Sequence, residues 1–170
     1  MLDLYKTFAR YNRWANATLY AACDRLGDGA YYADRRAFFG SIHNTLNHLV
    51  VTDRIWLARI EGRPNPPYAL NDVPYAGRAE LRAARAAEDD RLIAVVEAID
   101  PARLANDLSY ATTAGEPQRT PLHLVLSHLF NHQTHHRAQV HDMLSQAGIK
   151  PPPLDLLAFI RLQPRAAASG

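Results

Sequence analysis

Residues 126–148, LSHLFNHQTHHRAQVHDMLSQAG, decide how this chain is read. The stretch holds His128, His132, His135, His136 and His141, and it reads as one helix that stops at Gly148. Each helical residue advances by about 100°, so His128, His132, His135, His136 and Gln139 fall within a single arc of about 100°. His123 and His141 project from the opposite side and read as solvent-facing. Thr120-Pro121 supplies the start of the helix: Thr caps free N–H groups, and Pro at the first helical position has no N–H to satisfy.

Working outward, residues 108–119, LSYATTAGEPQR, set β-branched and aromatic residues around an Ala-Gly-Glu turn, the pattern of a short hairpin. Before it, Arg78 to Ile99 is rich in Ala, Glu and Arg. Leu81, Ala84, Glu88, Leu92 and Val95 share one face there, and Asp100-Pro101 ends the helix. The proline-rich stretch from Arg63 to Pro74 is a connecting loop. Phe39 to Ile60 repeats the helical period through Ile42, Leu46, Leu49 and Trp56, with Gly62 as its stop. On that helix His48 shares a face with Asn44, Val51, Thr52 and Ile55 and points into the bundle, whereas His43 does not. The first helix, Leu4 to Leu26, carries a stripe of Leu4, Phe8, Tyr11, Ala15, Leu19 and Ala22, stopped by Gly27.

Beyond Lys150, three prolines form a stiff spacer, then LDLLAFIRLQ reads as a short apolar helix that packs on the bundle or on a second subunit. Four long amphipathic helices with mostly short connections predict an all-α fold: an antiparallel four-helix bundle, with a short β-hairpin before the fourth long helix and a short C-terminal helix. A chain of 170 residues suits one domain, here 1–164, with 165–170 expected to be a disordered tail.

Composition narrows the function classes. A net charge of +2 with scattered arginines gives no polyanion-binding block, so no nucleic-acid partner is expected. The N-terminus lacks a signal-peptide pattern, and no apolar run approaches the ~20 residues that cross a bilayer, so no membrane partner is expected either. Cys23 is the only cysteine, which excludes an intrachain disulfide or a thiolate-rich metal site and fits a cytoplasmic location. It sits in an alanine-rich helix without a local His partner, so a buried free thiol is expected in preference to a nucleophile.

Two histidines at i and i+4 lie one above the other, close enough to grip one ion, and His132 and His136 have that spacing. The third ligand must come from another helix, and His48 is the natural donor. Three neutral imidazoles suit Zn²⁺, Ni²⁺, Cu²⁺ or Fe²⁺ and leave positions open for water or substrate. A hydrogen-bonded core role for each histidine is the competing reading. A zincin is excluded because Gln133 stands where the H-E-x-x-H glutamate would be. A di-iron bundle is excluded because no Glu has His three residues later. Candidate catalytic residues are His128 and His135 as proton carriers, Glu88 as partner of a ligand imidazole or fourth ligand, and Arg137 as clamp for an anionic substrate. Glu88 pairing with an arginine, and Arg137 binding an acidic residue of a neighbouring helix, are the plainer alternatives.

The segments YNRWAN, FFGSIHNTLNHLVVTDRIWLARIEG and LSHLFNHQTHHRAQVHDMLSQAG together resemble the DinB/YfiT-like superfamily over nearly the whole length. The last is close to that family's N-H-x-x-H-H-R-G-Q pattern, with Ala138 in place of the usual glycine, a small-for-small change. The resemblance implies a four-helix bundle binding Zn²⁺, Ni²⁺ or a similar ion, with Fe, Mn or Cu as further options, through His48, His132 and His136. It also implies a homodimer and, by analogy with some relatives, a transferase or isomerase that uses a low-molecular-weight thiol such as mycothiol, bacillithiol or glutathione. The family's DNA-damage name concerns expression and carries no implication of DNA binding. The expected function is thus a metalloenzyme acting on an unidentified small molecule, by thiol transfer or by hydrolysis. The alternative is a non-catalytic metal-binding stress-response protein.

Overall fold

The computed structural model of the protein describes residues 1–163, so the expected disordered tail at 165–170 lies outside the described residues. Its long helices are α1 (Leu2–Cys23), α3 (Ile42–Ile60), α4 (Arg78–Glu97) and α5 (Leu122–Gln146). Two short helices, α2 (Asp28–Tyr32) and α6 (Leu156–Leu162), and a hairpin of β1 (Asp107–Ala111) and β2 (Pro117–Pro121) complete the frame. Both α1 and α3 pack against α4 and α5, giving the expected antiparallel four-helix bundle. Among the described residues no helix is long and apolar enough to cross a membrane.

The helix ends follow local chemistry. Ser41 caps α3, its Oγ accepting the Asn44 N–H at 3.1 Å, so the helix begins three residues after Phe39 and leaves Phe39 in the preceding turn. At the other end Gly62 has φ 70, the left-handed conformation that stops a helix and that a side chain would strain. Thr120 and Pro121 do not open α5 as their sequence suggests. They lie in the hairpin ladder opposite Leu108 and Asp107, and α5 starts at Leu122. Gly27 caps the short helix α2, while α1 stops at Cys23. The buried stripe of α1 runs through Leu2, Tyr5, Ala9, Asn12, Ala15, Asn16 and Leu19, leaving Leu4 51% exposed. That stripe is turned toward two asparagines that a search for apolar spacing passes over.

Those asparagines belong to a polar belt that divides the core. One apolar half contains Leu19, Cys23, Ile42, Leu46, Leu49 and Met143. The other contains Leu57, Leu92, Val96, Leu126 and Leu129. Between them Arg85 pairs with Asp53 at 2.7 Å and Asp89 at 3.1 Å, and Asp89 accepts hydrogen bonds from Asn12 and Asn16. Arg137 of α5 donates to Asn12 and Gln133. All four long helices contribute, and within the belt Asp53 and Asp89 match Arg85 and Arg137 in charge, the condition under which such groups are tolerated in a core. The belt also fixes the level at which α3 faces α5.

The remaining elements close over that pair. The hairpin packs on α3 and α5. Helix α6 packs on α1, burying Phe159 against Tyr11 and Trp14. His141 is not simply solvent-facing: its ring sits 3.0 Å from the Pro152 carbonyl and so holds the proline spacer to α5. His123 likewise contacts the Leu104 carbonyl at 2.9 Å.

Candidate metal centre

At the level of the polar belt, α3 presents His48 across the bundle to His132 and His136 on successive turns of α5. One ring nitrogen from each lies within 4.8 Å of the others. His48 Nε2 is 3.2 Å from His132 Nε2, which is 3.1 Å from His136 Nε2. Three imidazoles bound to one ion at 2.0–2.1 Å in tetrahedral geometry would hold their nitrogens about 3.3 Å apart.

The outer nitrogens of two rings settle which atoms face inward. His48 Nδ1 lies 2.7 Å from the carbonyl oxygen of Leu70, and His136 Nδ1 lies 2.8 Å from Gln139 Oε1. Both oxygens only accept, so both Nδ1 atoms carry the proton and both Nε2 atoms present lone pairs to His132. His132 Nε2 has at most one proton to give, which leaves at least one inward lone pair without a donor. Protonation offers little relief. Burial, with the charge of neighbouring His136, pushes His48 down to about 4, and burial with the neighbouring histidines pushes His132 down to about 3. Burial lowers His136 as well. Neutral imidazoles converging on a point short of protons form a donor set that fits a cation of borderline softness.

The surroundings shape access. Phe39 stacks on His48 with centroids 4.0 Å apart and leans on His136 at 5.5 Å. On one side a hollow of ≈ 490 Å³ is lined by Phe38, Phe39, His48, Asn71, His135 and His136. On the other a hollow of ≈ 360 Å³ is lined by Trp56, Arg59, Tyr110, Thr112, His128 and His132. Leu70, from the loop after α3, lines both.

The structure brings His128 and His135 to the edges of this centre. His128 is exposed and packs its ring between Trp56 and His132. His135 is exposed, and its Nε2 is 3.4 Å from Gln139 Nε2, so the Gln139 amide joins it to His136. Glu88 is elsewhere: it is 6% exposed and bound by Arg54 at 2.7 Å and Arg91 at 3.2 Å, which is the plainer arginine pairing. Arg137 is turned into the polar belt, where its partners are amides and Thr134. His43 is 3% exposed, against the expectation that it faces away from the interior, because Tyr31 and Tyr32 of α2 cover that side of α3. It does not join the triad. The helical period puts Gln139 on the face of His136 but does not show the hydrogen bond between them, and a backbone carbonyl 22 residues away from its histidine, that of Leu70, leaves no sequence signal.

A profile of the DinB family matches residues 1–167. The chain belongs to the DinB family. Protein DinB of Bacillus subtilis (strain 168) is 24% identical over 161 residues, which span 91% of this chain and 92% of that protein. A DinB-like protein from Bacillus cereus ATCC 10987 has the same fold, with a TM-score of 0.66 and 17% identity over 86% of this chain and 94% of that one. In this DinB-family chain the histidines of the quoted α5 motif divide between the inner face of the triad, His132 and His136, and its rim, His128 and His135.

Proposed function

We propose that this chain is a metal-dependent enzyme for a small molecule, with His48, His132 and His136 as the ligands of one divalent ion, Zn²⁺ or Ni²⁺ by preference. The observation that carries the reading is the pair of lone-pair nitrogens, fixed by Leu70 and Gln139, aimed at a third imidazole at 3.2 and 3.1 Å. Three protein ligands leave an open coordination position, as in catalytic rather than structural sites. When bound, such an ion acts as a Lewis acid and lowers the pKa of a thiol or water. The substrates in this reading are a low-molecular-weight thiol and an electrophile.

The protein's own groups then divide the work. Phe39 shields the His48 side from water and holds the ring in plane. His128, on the wall of the smaller hollow, is the group placed to accept or return a proton at its ring nitrogen. His135 has the corresponding place beside the larger hollow, oriented by Gln139.

The test is conjugation of glutathione to 1-chloro-2,4-dinitrobenzene by zinc- or nickel-loaded protein, compared with His132→Ala. Loss of the rate in the variant supports the reading, and equal rates overturn catalysis at this centre. Stoichiometric metal uptake without turnover of any thiol would favour a non-catalytic metal-binding protein.

A further inference from the structure

Arg59 is the least explained charge near the centre. It is 7% exposed, and its Nε donates to Asn65 Oδ1 at 3.1 Å. Its terminal nitrogens have no hydrogen-bond or carboxylate partner among the described residues, whereas Arg85, Arg54 and Arg91 are matched to acids and Arg137 donates to side-chain amides and Thr134. The guanidinium lies over Trp56 at 4.5 Å and over Tyr110 at 5.0 Å, and burial lowers its affinity for its proton without detaching it. Aromatic faces hold the plane of the fork but leave its N–H edge unfilled.

Arg59 lines the ≈ 360 Å³ hollow together with His132 and His128. The Thr112 hydroxyl stands in the same wall; its oxygen accepts the Glu116 N–H, so its proton is free to donate. A guanidinium held in place by two aromatic faces, with no protein acceptor for its terminal N–H groups among the described residues, is a ready partner for an anion that enters the hollow. We infer that Arg59 is a specificity-determining residue that binds the carboxylate of a substrate whose reacting end lies at the His48–His132–His136 centre. A single arginine matches a singly charged carboxylate better than a phosphate dianion.

The fold also sets a length. Arg59 is eleven residues beyond His48 on α3, about 16 Å of helical rise, and its side chain folds back over Trp56 toward the triad. Ring contacts of 4.5 Å from the guanidinium to Trp56, 5.1 Å from Trp56 to His128 and 5.8 Å from His128 to His132 connect it to the triad. Six-carbon acids, with or without a terminal thiol, are convenient probes of that span. The inference deepens the proposed function and rests on it for the reacting end, while the carboxylate subsite itself is independent of any ion.

The experiment uses both forms of the protein. In metal-free Trp14→Phe protein, hexanoate and hexanamide are titrated against Trp56 emission, with inorganic phosphate as competitor. Hexanoate is expected to bind at least about tenfold tighter than hexanamide, the scale of one charge-assisted hydrogen-bonded pair. Arg59→Gln is expected to erase the preference and Arg59→Lys to retain part of it. Equal affinities for acid and amide in the parent protein overturn the subsite whether or not Arg59→Gln folds, as do a preference that survives in Arg59→Gln and displacement of hexanoate by equimolar phosphate. In cobalt-loaded protein, 6-mercaptohexanoate is then compared with 6-mercaptohexanol by the visible spectrum. A protein that prefers hexanoate but takes up no cobalt overturns the metal reading and leaves the subsite standing.

Discussion

The carbonyl oxygen of Leu70 lies 2.7 Å from His48 Nδ1, so a loop residue outside the bundle decides which nitrogen of a bundle residue faces the centre. Gln139 does the same for His136 from one turn along α5. The donor set is therefore as much a property of these two acceptors as of the three rings. Removing an outer partner of a ligand imidazole typically weakens metal affinity 10–100-fold. Gln139→Leu is expected to do so in competition against a chromogenic chelator, with Gln139→Glu restoring most of the loss because it keeps an acceptor at the same place. Unchanged affinity in Gln139→Leu would show that His136 needs no such support.

Binding of an ion to the folded chain alone must raise its melting temperature. At free metal one hundred times Kd the stabilisation is about 2.7 kcal/mol. Calorimetry with one equivalent of Zn²⁺ and then increasing excess should show a rising Tm in the parent protein and none in His132→Ala.

The depressed imidazoles make the metal-free protein sensitive to acid. His48 and His132 have folded values of about 4 and about 3, below the ordinary 6.5 of the unfolded chain. The unfolded state therefore binds the extra protons, so the stabilising contribution is complete above pH 6.5 and is lost as pH falls toward 3. Urea midpoints between pH 7 and pH 4.5 should fall more steeply for the parent than for His132→Leu. Parallel profiles would be the contrary result.

Arg85 is matched to Asp53 and Asp89 where all three are at most 3% exposed. Arg85→Met leaves those carboxylates buried without their cation and is expected to cost about 3–5 kcal/mol. Asp90→Ala removes the 3.0 Å pair with Arg13, whose side chains are more than half exposed, and is expected to cost less than about 1 kcal/mol. Guanidinium denaturation of the two variants checks the contrast.

Burial, reinforced by the charge of Asp24, pushes the Cys23 thiol up to about 12. Its contribution to stability is complete below pH 9, the ordinary value, and fades as pH rises toward 12. Iodoacetamide at pH 8 should label the unfolded protein far faster than the native one. Equal rates would mean an accessible thiolate.

What the sequence reveals of this fold is governed by the distance over which each feature is determined. The four long helices are legible because apolar periodicity is a property of each segment alone. Their ends are less so: Thr120 and Pro121 have the chemistry of a helix start, yet pairing with Leu108 and Asp107 takes them into the hairpin. The short helix α2 lacks the length for a periodic signal, and without it the burial of His43 by Tyr31 and Tyr32 is invisible. The i,i+4 relation of His132 and His136 is local and readable. The approach of His48, the Leu70 carbonyl and the unmatched Arg59 depend on how separate elements meet, which no single segment encodes.

The three histidines come together only late as the chain is made. His48 and His132 are separated by 84 residues, with α4 and the hairpin between them. A ribosome that has just released α3 exposes one imidazole and an unfinished bundle, and only when α5 has emerged can the other two close upon it. The centre cannot be filled on the nascent N-terminal half. On the proposed function, loading is a late step of biosynthesis, and the moment at which cobalt-treated chains acquire a bound-ion spectrum is expected to date the docking of α5 during translation.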